Sequence, residues 1–374
     1  MKAFAINHEE IQLDIIRDLC RIPAPSFGER RRAEYCKAYF ESFGAEGVYI
    51  DEINNVIFPL NCEGSNEITV LAAHTDTVFP DTESYPEFHE DEERIYCPGV
   101  GDDTACVAAI MLTAKYFVEN NISPKGGLLF VCNSCEEGLG NLAGTKQLFK
   151  DYEGRINQFV TVDANTGSVV NVAVGSHRYE VTAETEGGHS FSKFGNKNAI
   201  AALAEVICEI YKIQVPVREN STTTYNVGVI EGGTSINTIA QSAKMLCEYR
   251  SNNRECLEIM KGEFERIFEA ANTEETKLQV TLVGNRPCKG DVDPDAEAKL
   301  IDAYRQAVKS VLGTDVKLMM ASTDANIPLS LGIPAIDVGS RINFGSHKRE
   351  EYVEKNSLMP GLEIIIRMAL ELTK

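Results

Sequence analysis

Three runs of hydrophobic residues end abruptly in polar donors. Ile68 to Ala73 runs into His74, Thr75 and Asp76; Gly127 to Cys132 runs into Asn133, Ser134, Cys135, Glu136 and Glu137; Phe159 to Val162 runs into Asp163. Unbroken apolar, β-branched runs of this kind read as strands buried on both faces. Open α/β sheets place their chemistry at the carboxyl ends of such strands. Between the runs, helical periodicity takes over. Ile11, Ile15 and Leu19 mark one helical face behind a capping box of Asn7 and Glu10, and Pro23 and Pro25 end it. A second helix is expected over 27–43, with Ser26 as its cap, Glu29 reaching back and Gly44 as terminator. Its charge run, Glu29 to Arg32, reads as a solvated first turn. Short strands at 48–50 and 56–60 precede the first apolar run. An acidic connector from Glu83 to Glu93 leads to a strand at 94–97. The glycine-rich turn PGVGDDTAC, residues 98–106, then opens a small-residue helix over 104–118.

The texture changes at His177. Residues 178–185 alternate like a half-exposed antiparallel strand, 198–211 is helical, 222–229 and 243–250 are strand-like, and 255–271 is helical. This order predicts a small α+β sandwich inserted at 177–288. The α/β style resumes with helices at 296–312 and 358–372, and Gly345, Ser346 and His347 sit in a loop just before Glu350 and Glu351. The expected fold class is therefore α/β: a catalytic domain, 1–176 with 289–374, whose mixed, mostly parallel sheet is flanked by helices, plus the inserted sandwich.

Composition narrows the classes. A chain of 374 residues is long enough for one large domain and a smaller one. A formal charge of −20 argues against nucleic acid, which demands clustered Lys and Arg to displace counterions. Eleven scattered cysteines form no disulfide framework, and the N-terminus lacks signal-peptide order, which points to a reducing cytoplasm. No apolar run approaches the ~18 residues of a membrane span.

His, Glu-Glu and Asp are the hard and borderline donors of hydrolytic metal centres. Side chains two apart on a strand share a face, so Asp76 can accept the second ring N–H of His74 and fix its tautomer. Asp102 and Asp103 in the glycine-rich turn suit a cation; a phosphate loop would carry Gly-Lys-Ser/Thr, and two aspartates repel an anion. Glu136 and Glu137 alternate on an extended chain, so one can grip a metal while its neighbour overhangs a water. Cys132 and Cys135 form a CxxC read as buried thiols, with a redox or zinc pair as the alternative. By itself His189 is a turn histidine. Arg250 is either a surface arginine or a fork for a carboxylate. His8 and His89 read as exposed, and His177 as a strand-end residue.

Together these stretches resemble the two-metal aminopeptidase and amidohydrolase family that contains peptidase T, glutamate carboxypeptidase, succinyl-diaminopimelate desuccinylase and aminoacylase, with the peptidase T branch nearest. The resemblance implies five metal ligands, His74 in HTD, Asp102 in GVGDDTAC, Glu137 in CEEG, Asp163 in TVDA and His347 in GSHKREEYV. Asp102 would bridge two divalent ions, zinc first, with cobalt or manganese as alternatives. His74 and Asp163 would hold one ion, Glu137 and His347 the other. Glu136 would be the catalytic base and Asp76 would orient His74. The inserted domain would be a lid and dimerisation domain, whose His189, in EGGHSF, reaches the partner subunit's site in relatives. Asn237 and Arg250 match positions that hold substrate, and Asp324, in ASTDAN, lies in a loop near the substrate. The Asp102–Asp103 peptide bond would be cis. One departure is Asp103-Thr104, where many members carry lysine. Such ion pairs lower the pKa of a shared water from ~15.7 towards ~7. Glu136 would take its proton and pass it to the departing amine. The implied activity is that of a homodimeric exopeptidase on tripeptides or dipeptides. An N-acyl amino acid amidohydrolase is the close alternative, and a noncatalytic metal-binding scaffold the distant one.

Overall fold

Alternation within the apolar runs decides how the layers form. In the computed structural model, which describes residues 1–80 and 88–374, the strands Ile68–His74 and Gly127–Asn133 are buried at every position. Leu71, Ala73, Leu128 and Phe130 pack on one face with Phe117, Tyr304, Ile364 and Ile365 of three helices. Val70, Ala72, Leu129 and Val131 pack on the other with Leu142, Leu148 and Leu329. A strand covered on both faces has no polar side, which is why these runs lack polar alternation.

Among the described residues the strands form an eight-stranded sheet in the order Tyr49–Ile50, Val56–Leu60, Gly127–Asn133, Ile68–His74, Ile156–Asn165, Ala335–Arg341, Ser168–Ala173, Lys317–Ala321. The four central strands, from Gly127–Asn133 to Ala335–Arg341, run parallel to one another. Their carboxyl ends therefore lie along one edge. The helix Ala105–Glu119, built of small and apolar residues, is buried along most of its length.

The chain divides into two compact units, Met1–Ala173 with Gly290–Lys374, and Val174–Lys289. The second holds an antiparallel sheet in the order Thr223–Gly232, Ser242–Ser251, Gly175–Thr185, Thr276–Arg286. Its first strand starts ahead of His177, because Gly175 and Ser176 already pair with Ser251 and Arg250. The helices Ala199–Ile210 and Arg254–Ala271 cover this sheet through Leu203, Val206, Met260 and Phe264. Asn198 and Asn253 cap them, accepting from Ile200 and Cys256 backbone N–H groups.

Several local expectations are corrected. The first helical stretch is two helices, Lys2–Asn7 and Glu9–Cys20, so Asn7 ends one helix instead of capping the next. The helix expected from 27 begins at Arg30 without a side-chain cap. Glu29 does reach back, accepting the Phe27 N–H at 2.9 Å, but Ser26 is used elsewhere and Glu29 serves a second, distant partner, as described below. His8 is half-buried, stacked on Phe4. Residues 83–87 of the acidic connector lie outside the described residues.

Candidate metal centre

Each central parallel strand ends at one cluster. The strand Ile68–His74 delivers His74, the strand Gly127–Asn133 leads to Glu136 and Glu137, and the strand Ile156–Asn165 contains Asp163. The strand Ala335–Arg341 feeds the hairpin whose loop holds His347. Asp102 comes from the turn before the buried helix. Its Oδ1 lies 3.1 Å from His74 Nε2 and its Oδ2 3.3 Å from His347 Nε2, so its two oxygens face different histidines. Asp163 Oδ2 is 3.8 Å from His74 Nε2, and Glu137 Oε1 is 3.2 Å from His347 Nε2. Donor atoms of His74, Asp102 and Asp163 lie within 4.8 Å of one another, as do those of Asp102, Glu137 and His347. Two imidazole-and-carboxylate sets sharing one aspartate fit a pair of divalent cations. The Asp102–Asp103 peptide bond is cis.

Glu136 behaves differently from the alternation argument. One of its oxygens comes within 4.8 Å of donor atoms of both His74 and Glu137, so the two glutamates converge. The strand has already ended, and Cys135 takes a left-handed φ of 57°. Alternation holds only along extended backbone.

The donors repel one another. Burial, then Asp103 and Asp102, push the Asp163 carboxyl well up. Burial, opposed by His347 and reinforced by Asp102, pushes Glu137 up to about 7. For Asp102 burial acts upward too, but hydrogen bonds from His347 and His74 outweigh it and hold its carboxyl down. Hydrogen bonds to Asp102 and Glu137 push His347 up to about 10.

A ring of further buried groups fixes the ligand loops through their backbones. Asp76 accepts the N–H groups of Glu136 and Glu137 at 2.9 and 3.0 Å. His74 Nδ1 donates to the main-chain oxygen of Asp76 at 3.0 Å, with the carboxylate at 3.4 Å, so the backbone is the nearer orienting acceptor. Glu351 accepts from Gly99, Gly101 and Asp102 at 2.7, 2.9 and 2.8 Å. Asp337 accepts from Asp163 and Ala164 at 2.9 and 3.1 Å. Arg341 donates to the carbonyls of Gly101, Ala164 and Asp163, tying the Asp102 turn to the Asp163 strand end. Asp103 Oδ2 accepts the His74 N–H at 3.1 Å. Sequence reasoning gave no role to Glu351, Asp337 or Arg341. The position of Glu351 beside the GSH loop was the sole local signal.

Other expectations change. Glu29 and Arg32 are buried, at 0% and 2% exposure, not in a solvated turn. Arg32 donates to the carbonyls of Ile22 and Thr75. Asp324 is wholly buried with its oxygens on Asn133 and Thr145, so it braces a strand end instead of facing a substrate. Cys132 and Cys135 are buried free thiols.

In the second unit, His189 and Asn237 are neighbours, because Ser190 N–H donates to the Asn237 carbonyl at 3.0 Å. His189 Nδ1 accepts from the backbone of Phe191 at 3.2 Å, which leaves the proton on Nε2. Arg250 directs its fork to Glu248, at 2.8 and 2.9 Å, so those two hydrogen bonds are already taken.

A mostly parallel sheet ending in two carboxylate-and-imidazole sets defines a metal-dependent hydrolase. The chain belongs to peptidase family M20/M25/M40, whose sequence profile matches residues 70–371. It is 24% identical to succinyl-diaminopimelate desuccinylase of Psychrobacter arcticus over 79% of this chain and 75% of that one. Among solved structures it is similar to aminopeptidase PepT from Bacillus cereus, with a TM-score of 0.73, 21% identity and coverage of 98% and 99% of the two chains. It is also similar to a dinuclear metal-binding peptidase of the same family from Bacillus subtilis, with a TM-score of 0.65, 16% identity and coverage of 100% and 99%. Among the described residues no helix is long and apolar enough to cross a membrane.

Proposed function

We propose that this chain is a two-metal exopeptidase that hydrolyses short peptides, tripeptides or dipeptides, with Glu136 as general base. The observation carrying the reading is Glu136 itself, 5% exposed, its carboxylate against the His74 and Glu137 donors and its backbone N–H held by Asp76. A purely binding site has no use for a base beside its ligands. His74, Asp102 and Asp163 would hold one cation and Asp102, Glu137 and His347 the other, zinc by first choice. Cations bound there supply Lewis acidity that brings a water's pKa towards ~7. Glu136 then accepts the water's proton at its carboxylate and delivers it to the nitrogen of the breaking amide, a contribution of typically ~10² to 10⁴ in rate. His189, protonated at Nε2, is the proposed donor to the oxygen that gathers charge. Asn237 and Arg250 are proposed to bind the substrate's carboxylate end, Arg250 by sharing or leaving Glu248. The second unit is proposed as lid and homodimerisation domain of a cytoplasmic enzyme.

The desuccinylase likeness favours a second reading, an N-acyl amino acid amidohydrolase built on the same centre. A panel of di-, tri- and tetrapeptides with free or blocked amino ends, run beside acetyl and succinyl amino acids, separates the two. Cleavage that requires a free amino end is the expected result; turnover confined to acylated amines rejects the peptidase reading. Glu136→Gln is expected to keep its metal while losing turnover.

A further inference from the structure

The family profile begins at residue 70, yet the segment before it reaches the catalytic loop. Residues 24–29 turn tightly, with Gly28 N–H on the Pro25 carbonyl at 2.7 Å, and the Ala24 carbonyl accepts from Thr77 at 2.8 Å beside His74 and Asp76. Ser26 Oγ donates to Asp76 Oδ2 at 2.6 Å and lies 3.3 Å from the Glu137 carbonyl. Glu29 Oε1 accepts from the backbone of Cys135 at 3.0 Å and from its thiol at 3.3 Å. Three successive N–H groups, of Cys135, Glu136 and Glu137, thus end on two buried carboxylates, Glu29 for the first and Asp76 for the others. Cys135 has the positive φ that throws the chain out of the strand. A non-glycine residue in this region persists where its surroundings over-determine it, and here the hydrogen bond from its amide to Glu29 is one such restraint.

We infer that Glu29 is a positioning residue for the reaction: by holding the Cys135 amide it sets where the Glu136 carboxylate stands, and Ser26 assists through Asp76. Glu29 touches neither ligand nor reacting atom. Its Oε1 also accepts the Phe27 N–H at 2.9 Å, anchoring the carboxylate to its own turn, while Oε2 is buried without a hydrogen-bond partner. The inference rests on Glu136 being the base.

The test compares Glu29→Gln, which keeps an oxygen at the Cys135 amide, with Glu29→Asp, which keeps the charge but falls short by one methylene, and with Glu29→Leu. Substrates are a free-amino tripeptide and an N-acetyl amino acid; bound metal is measured by elemental analysis. Glu29→Asp and Glu29→Leu are expected to lose ~10²-fold in kcat, the scale of a misplacement of about 1 Å, with KM and metal content kept. Glu29→Gln is expected to recover most of the rate. Parental kcat in Glu29→Asp with loss in Glu29→Gln would show that charge matters and overturn the inference. So would losses that follow metal content in all three. If Glu29→Leu does not fold, the Asp and Gln pair decides. Activity surviving in Glu136→Gln would sink the base assignment itself, whereas a dead Glu136→Gln beside parental Glu29 variants sinks the positioning role alone.

Discussion

Oδ1 of Asp76 accepts the main-chain N–H of Glu136 at 2.9 Å, across 60 positions of sequence. Oδ2 accepts from Glu137 and from the Ser26 hydroxyl. Both oxygens serve as acceptors, so an amide at this position must turn an N–H group towards another N–H. Asp76→Asn is expected to lower kcat by ~10²-fold. His74 keeps its bond to the residue's carbonyl. Steady-state kinetics with a parental kcat would show that the carboxylate does not set the loop.

The ligand carboxylates of Asp102, Glu137 and Asp163 crowd together with Asp103. Cations bound there neutralise that repulsion in the folded chain alone. Stripping with a chelator is expected to lower the melting temperature by on the order of 5 to 10 °C relative to protein with metal at about 100 times its Kd. Calorimetry with and without zinc checks this, and an unchanged Tm would argue against a site of useful affinity.

Metal uptake is expected to depend on pH. Without cations, His347 is pushed up to about 10 by Asp102 and Glu137, and burial pushes Glu137 up to about 7. Both hold protons that a cation must displace, so affinity rises with pH from below 7 towards 10 and binding releases protons. Titration calorimetry in buffers of different ionisation enthalpy reads the release directly. Zero proton release at pH 7 contradicts the expectation.

Arg341→Met is expected to cost ~3 to 5 kcal/mol of stability, because it strips the buried cation from beside Asp103 and Asp163. It also frees three carbonyls that hold the Asp102 turn against the neighbouring strand. Urea denaturation measures the loss. A change below about 1 kcal/mol would mean that the surrounding acids are already neutral.

Cys135→Ser is expected to keep activity, with or without a thiol reductant, since the thiol is buried, its ionisation is opposed by burial and by Glu29, and a hydroxyl replaces the contact to Glu29. Loss of turnover would revive the redox alternative.

The amino-acid order alone determined the layers and the donors. An apolar run has one physical meaning in water, and His74, Glu136, Glu137 and Asp163 stand at the ends of such runs. Caps and boundaries were less legible. Ser26 and Glu29 have the composition of a helix start, but the Ser26 hydroxyl went to Asp76, and Glu29, while reaching back to Phe27, also took the distant Cys135 amide. Local pattern also assigns charges to the surface by default, and so mislaid Glu29 and Arg32. Tertiary structure alone decided those burials, because a charge stays inside only where distant backbone groups satisfy it, as Gly99 does for Glu351 across 252 positions.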